Sequence, residues 1–417
     1  MLDTSNFLPA LKEFYSEQHV QNMVYKHNPL FALMPKAEQF GGSFYPQPIV
    51  YGNPQGRSQT FSTAQSKGAA SNSLLNKFMM PRVHNYQIAT IQNEVILASQ
   101  GDLGAFMEAA TLEIDGAINN LSRDIAIDQY RSGYGDKGQV LSTFTVAGAT
   151  TIKLQNGSDI TNFEVGQELF VSATLSGALK AVGSSGKGLI ITKIDRSVDG
   201  ELLTFGYAID DATNGIPTIA AGDYIFLAGD HTTSALTKVA GLSAWLPLTA
   251  PSAGESFFGV DRSVDSRLSG VRLDRRGMPI EEAVIDLLTV VNREGGSPGY
   301  LFMNSLDWAN FEKALGSKVT YVTTQVTAEI GFRGIEVMSQ KGPVKVIPDQ
   351  NCPKGLMYAL QMDTWKLRSI GKAVRLIDTD SLQMLRLGTA DGVEIRYGFY
   401  GNQMTNAPGW NGVCQIS

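Results

Sequence analysis

Cysteine is nearly absent: Cys352 and Cys414 are the only two in 417 residues. Two thiols cannot build a disulfide framework, and a reducing compartment is the simpler reading. The four histidines, His19, His27, His84 and His231, fall in no H-x-x-x-H or H-x-x-E spacing, so no zinc ligand set is legible. Charge is sparse at 18% of residues, against roughly 25% in ordinary soluble chains. The net charge of −6 argues against a strongly basic nucleic-acid binder. No apolar run approaches the ~18 residues needed to cross a membrane. The start, Met1-Leu2-Asp3-Thr4-Ser5, lacks the basic stretch and apolar run of a signal peptide. These absences predict a chain that stays in the cytoplasm where it is made and contacts no membrane.

What is present is core-forming material. Hydrophobic residues make up 43%, which excludes general disorder. Glycine is abundant, with 43 residues or about 10% against a usual ~7%, so turns are many. The length predicts two or three domains.

Leu8, Leu11, Phe14 and Tyr15 recur at helical spacing, predicting a helical arm that Asn28-Pro29 breaks and Pro35 stops. From Gly41-Gly42 a two-stranded excursion is expected. Phe44 to Tyr51 would run out, Gly52-Asn53-Pro54-Gln55-Gly56 would turn, and Arg57 to Phe61 would run back. Pro46 and Pro48 cannot donate ladder hydrogen bonds, which places the strand at an edge or outside a sheet. The polar stretch Ser62 to Asn76 has few apolar anchors and is expected to be mobile in an isolated chain.

No Asp or Glu occurs from Gln39 to Asn93, and Arg57, Lys67, Lys77 and Arg82 give that window a charge of +4. A solvated loop of chance composition would account for it. So would a surface meant for an acidic partner. The next element has the opposite sign. Residues 102–131 read as one long helix, with Leu103, Phe106, Met107, Ala110, Ile114, Ala117, Ile118, Leu121 and Ile125 on one face, Asp102 as N-cap and Gly133 as stop. Six acids against Arg123 and Arg131 give it −4.

Short β-patterned runs between Gly, Asn and Asp turns fill residues 139–245 and predict an inserted small barrel or sandwich. Beyond it, helices are expected at Glu281 to Glu294 and from Asn304 or Ser305 to Gly316, with strands at 300–303, 335–338, 344–347, 356–361, 383–387 and 393–400.

Motifs for chemistry fail on context. Gly295-Gly296-Ser297-Pro298-Gly299 has the nucleophile-elbow pattern, but it leads from a helix into a strand, the reverse of an elbow. Pro298 also lacks the N–H that an oxyanion hole would use. Gly133-Tyr134-Gly135-Asp136-Lys137-Gly138 follows a helix and enters β structure, so it reads as a linker and not a dinucleotide fingerprint. Gly183 to Gly188 resembles a phosphate loop, but Ala181 and Gly188 occupy required glycine and hydroxyl positions. Asp210 to Gly215 fails a calcium-loop test at Ala212. No catalytic, cofactor-binding or metal residue is assigned, and no cofactor is expected. A carboxylate pair formed in space would escape this reading.

Several segments, in order along the chain, resemble the major capsid proteins of tailed bacteriophages with the Hong Kong 97-like fold. Tyr45-Pro46-Gln47-Pro48-Ile49-Val50-Tyr51-Gly52-Asn53-Pro54-Gln55-Gly56-Arg57-Ser58 and Phe61-Ser62-Thr63-Ala64-Gln65 look like the extended loop (E-loop) of that family. Glu113-Ile114-Asp115-Gly116-Ala117 with Leu121-Ser122-Arg123 looks like its spine helix. Trp245-Leu246-Pro247, Phe258-Gly259-Val260-Asp261-Arg262-Ser263, Asp307-Trp308, Gln361-Met362-Asp363-Thr364-Trp365 and Ala407-Pro408-Gly409-Trp410-Asn411 continue the similarity.

The resemblance implies an α+β chain with an N-terminal arm at 1–40, an E-loop at 41–80 and a peripheral domain at 81–138 carrying the spine helix 102–131. The inserted β domain at 139–245 follows, then a return to the peripheral domain at 246–280, an axial domain at 281–375 and C-terminal strands at 376–417. Its implied function is a coat protein, not an enzyme, assembling through pentamers and hexamers into an icosahedral head around double-stranded DNA. The head would be built in the host bacterial cytoplasm. The implied interface residues are Tyr45, Tyr51, Asn53, Gln55, Arg57, Phe61 and Lys67. Implied partners are further copies, scaffolding, portal and decoration proteins, and DNA held weakly and without sequence preference. About 40 residues before the E-loop are too few for a cleaved scaffolding segment of the usual size. The alternatives are a virus-associated carboxylate hydrolase, a binding module in the β insertion, and an encapsulin-like compartment shell.

Overall fold

The computed structural model describes residues 28–92, 103–197, 201–233, 236–316, 321–326, 330–378, 385–388 and 391–417. The expected helix over Leu8 to Tyr15, the proposed cap Asp102 and residues 383–384 of an expected strand lie outside them.

The longest strand, Gly392–Thr405, organises the first sheet. It pairs antiparallel with Val83–Gln92, from Gly392 opposite Gln92 to Gly401 opposite Val83. On its other side Trp365–Ser369 pairs with it, and Lys36–Ala37 adds in parallel to that strand. Short strands Arg375–Leu376 and Leu385–Arg386 complete the sheet. Alternation sends Ile395, Tyr397 and Phe399 inward. There they share one core with Ile114, Ile118, Leu121 and Ile125 of the long helix.

That helix spans Leu103–Asp128, about 39 Å at ~1.5 Å per residue. It ends three residues before the expected 131. The returning chain takes its last carbonyls: Leu242 N–H donates to Gln129 (2.7 Å) and the Ser243 hydroxyl to Tyr130 (2.6 Å). Residues 129–131 therefore close as a turn, and Gly133 follows at φ +88°. Asn28-Pro29, read as a helix break, instead starts a short helix, Pro29–Leu33, because proline is compatible with a first turn. Leu30, Phe31 and Met34 sink into the main core.

A closed barrel follows. Its strands run in the order Asp136–Gln139, Tyr224–Leu227, Glu168–Ser172, Leu189–Asp195, Leu202–Phe205 and Thr151–Lys153. A bridge between Val140 and Leu154, with Gln155 N–H on the Gln139 carbonyl, joins last to first. Leu169, Val171, Ile191, Leu203 and Ile225 fill it. The barrel starts at 136, inside the glycine linker, and Val239, Leu242 and Trp245 belong to the main core.

The third sheet has seven strands, ordered Val271–Asp274, Gly412–Gln415, Leu356–Leu360, Tyr300–Met303, Gly342–Pro348, Ile330–Ser339 and Tyr321–Val326. Helices Ile280–Arg293 and Ser305–Leu315 pack on it through Val284, Leu287, Leu288, Val291 and Phe311. Asn304 caps the second, accepting from Leu306 N–H at 3.0 Å. Trp365–Ser369, expected within the axial segment, belongs to the first sheet. The mixture of segregated helices and mostly antiparallel sheets is an α+β fold.

Candidate assembly interface

Between the arm and the first sheet the chain leaves its body as a two-stranded ribbon. Phe44–Gly52 pairs with Leu74–Pro81, from Phe44 opposite Pro81 to Gly52 opposite Leu74. The return strand is therefore not Arg57 to Phe61. Residues Phe61–Ala70 are a helix across the tip. The expected mobile stretch Ser62 to Asn76 is this helix and the start of the return strand.

The tip helix has no buried residue. Ten residues with none buried are marginal as an isolated helix, so local bonds hold it. Ser66 Oγ donates to the Ser62 carbonyl (3.0 Å), Ser71 Oγ to Lys67 (2.8 Å), and Gln55 N–H to Ser71 Oγ (2.9 Å). A Cβ on Gly56 would come within 3.0 Å of Gly68 Cα, so only glycine lets turn and helix meet there.

The root of the ribbon is anchored in its own subunit. Ile49, Phe78 and Met80 are buried in the main core. The Phe78 ring meets Trp245 edge-on at 5.1 Å, and Met79 N–H donates to the Phe258 carbonyl (2.8 Å). The Arg368 guanidinium lies 3.9 Å above the Tyr45 ring, and Arg267 donates to the Tyr51 carbonyl (2.8 Å). Arg82 donates to the Gly42 carbonyl (3.2 Å).

Beyond the root the ribbon is apolar and uncovered. Phe61 is 83% exposed, Leu75 64% and Val50 60%, with Leu74 also exposed, and Phe44 is exposed at the base of the ribbon. Val50 and Leu75 face each other across the strands.

Of the residues named from sequence, Tyr45 at the base and Tyr51 near the tip end of the strand are both half-buried against their own core. Asn53, Gln55, Arg57, Phe61 and Lys67 are exposed around the tip. Val50, Leu74 and Leu75 were missed. Placing the return strand at 57–61 hid the last two, and Leu74-Leu75-Asn76-Lys77-Phe78-Met79-Met80 has no apolar–polar alternation to mark it as a strand.

Two of the six acids counted on the long helix have partners inside the subunit. Asp124 and Asp128 are not a surface for a neighbour: Lys137 Nζ lies 2.5 Å from Asp124 and 2.8 Å from Asp128, and Lys238 Nζ 3.0 Å from Asp124. Arg131 pairs with Asp159 at 2.5 Å and Arg123 with Glu164 at 3.2 Å. Burial alone would raise Asp124, but Lys137 and Lys238 hold it well below the usual carboxylate range. Burial, with the adjacent Asp124 charge, pushes Asp128 up to about 7.

Among the described residues, no group of three or more His, Cys, Asp or Glu side chains is placed to hold a metal ion. Nor is any helix among them long and apolar enough to cross a membrane. Both cysteines are free and buried.

No family model matches the chain, and no curated protein matches it in sequence. Solved structures resemble it over most of its length. One is the capsid asymmetric unit of cyanophage A-1(L), at 10% identity and TM-score 0.47, covering 94% of this chain and 93% of that one. Another is the capsid of a native GTA particle, at 7% identity and TM-score 0.43, covering 95% and 90%. A third is an encapsulin complex from Synechococcus elongatus, at 10% identity and TM-score 0.39, covering 93% and 86%.

Proposed function

We propose that this chain is a major capsid protein, a structural coat subunit that assembles with copies of itself into a closed icosahedral shell around phage double-stranded DNA. The observation that carries this reading is the ribbon: bolted to the body at Phe78 and Met80, apolar at Val50, Phe61, Leu74 and Leu75, and left uncovered there by the described residues of its own subunit. An exposed apolar strand pair is an aggregation liability on a monomer. Burying one such side chain gains about 1.5–3 kcal/mol, so the same pair becomes a source of adhesion when a neighbour covers it. One ribbon reaching one neighbour is a heterologous contact, the kind that closes into rings. Pentamers and hexamers are the rings the shell requires. The low charge content fits a subunit that hides much of its surface. The net charge of −6 fits weak, non-specific contact with packaged DNA. Scaffolding, portal and decoration proteins are the further partners this role calls for, and the virion is the place it ends.

The test is expression of the full chain in a bacterium, alone and with the scaffolding protein of its own phage, followed by light scattering and negative-stain electron microscopy. Shells of uniform curvature support the reading. Shells that retain a protein cargo from expression would point to a compartment. A monomer under both conditions overturns it.

A further inference from the structure

We propose that the junction between the long helix and the barrel is a one-proton latch: Asp124, Asp128 and Asp230, packed with Lys137 and Lys238, hold one proton on Asp128 while the barrel is seated, and lose it when the barrel lifts. This inference does not depend on shell assembly.

The cluster joins four parts of the chain. Asp124 and Asp128 stand one turn apart on the helix. Lys137 comes from the first barrel strand, Asp230 and Lys238 from the segment leaving the barrel, and Asn85 from the first sheet. Three acids face two lysines, so the fully ionised set carries an uncompensated negative charge in a buried place. A lone buried charge is expensive, and the usual response is to take up a proton.

Bonding picks out the site of that proton. Asp124 accepts from Lys137 (2.5 Å), Lys238 (3.0 Å) and Asn85 (2.6 Å), and Asp230 pairs with Lys238 (3.0 Å). Asp128 accepts from Lys137 through Oδ1 alone (2.8 Å), and its buried Oδ2 has no hydrogen-bond partner among the described residues. Asp128 is 1% exposed. The charged groups facing it are Asp124, Lys137 and Lys238. Nearby on the same junction are Arg131 with Asp159 and Asp136, and His231, whose ring nitrogens meet the carbonyls of Tyr134 (3.2 Å) and Gly177 (2.8 Å).

The direction follows from linkage. An acid whose seated state holds its proton more tightly than its open state stabilises the seated state most at low pH. That contribution disappears as pH rises through the seated value, here about 7. From about pH 4 to 7 the opening equilibrium should rise up to tenfold per pH unit, and above that it should level off.

The experiment is hydrogen–deuterium exchange on the full chain, corrected for intrinsic rates, comparing pH 5 with pH 7.5 in peptides covering 121–140 and 224–240. The wild type should lose protection there by tens of fold across this interval. Asp128→Asn should stay protected at both values, with less than a few-fold change. Asp128→Ser serves the same purpose should the amide variant fold poorly. A pH dependence that survives Asp128→Asn, or that vanishes instead with Asp230→Asn, Asp159→Asn or His231→Gln, overturns the proposal. So does a wild type with no dependence, or one better protected at pH 7.5.

Discussion

Phe78 and Leu75 lie three residues apart on one strand and have opposite surroundings. Phe78 is fully buried, edge-on to Trp245 at 5.1 Å, while Leu75 is 64% exposed. Three residues apart on a strand, their side chains point to opposite faces of the ribbon, one packed on the subunit's core and one a surface that needs a partner. Substitutions on the two faces should therefore have different consequences.

Phe78→Ala removes a buried ring from the Trp245 and Phe257 cluster. It should cost the subunit about 3–5 kcal/mol, read as a lowered denaturant midpoint in unassembled protein. Leu75→Asp should leave that midpoint within about 0.5 kcal/mol, as for other surface changes, yet prevent shell formation in electron micrographs. Equal loss of stability from both would place Leu75 in the subunit core.

Arg57 is exposed at the tip within a window free of acids. Arg57→Glu should slow assembly, measured by light scattering, while the circular dichroism spectrum is unchanged. The defect should diminish in high salt if the contact is a screened surface pair. Normal assembly kinetics from this variant would remove Arg57 from the contact.

Lys137 is 1% exposed in its side chain and bonded to both Asp124 and Asp128. Lys137→Met takes from Asp128 its one hydrogen bond and leaves Asp124 with Lys238 and Asn85, and breaking a buried pair of this kind costs about 3–5 kcal/mol. Denaturation monitored by tryptophan fluorescence would measure this. A change under 1 kcal/mol would mean that water reaches the cluster.

Burial pushes the Cys352 thiol well above its ordinary range and Cys414 up to about 12. Neither should react with a thiol reagent at pH 8 in the folded chain, whereas both should react in denaturant. Labelling of either thiol in the folded protein would show an opening that the packing does not contain.

Periodicity in the sequence carried the long helix, the strand-rich insertion and the helices at 280–293 and 305–315, because each has its own apolar face against a core. The tip helix was not legible for the opposite reason: Phe61–Ala70 buries nothing, so no apolar stripe marks it, and its polar composition reads as loop. Barrel closure was not legible because it depends on Val140 meeting Leu154. Pattern alone allowed a sandwich equally well. The acidic excess on the long helix gave no sign of its partners. Only the fold brings Lys137 and Lys238 onto Asp124 and Asp128, and Lys238 lies more than a hundred residues away in sequence.

The most direct test of the account is to place a photo-crosslinking amino acid at position 61, whose phenylalanine is 83% exposed at the ribbon tip, and to irradiate assembled particles. The account predicts a ladder of covalently joined subunits, with the attachment point on a second copy and no ladder from unassembled protein. Crosslinks confined to single subunits in intact particles would contradict it.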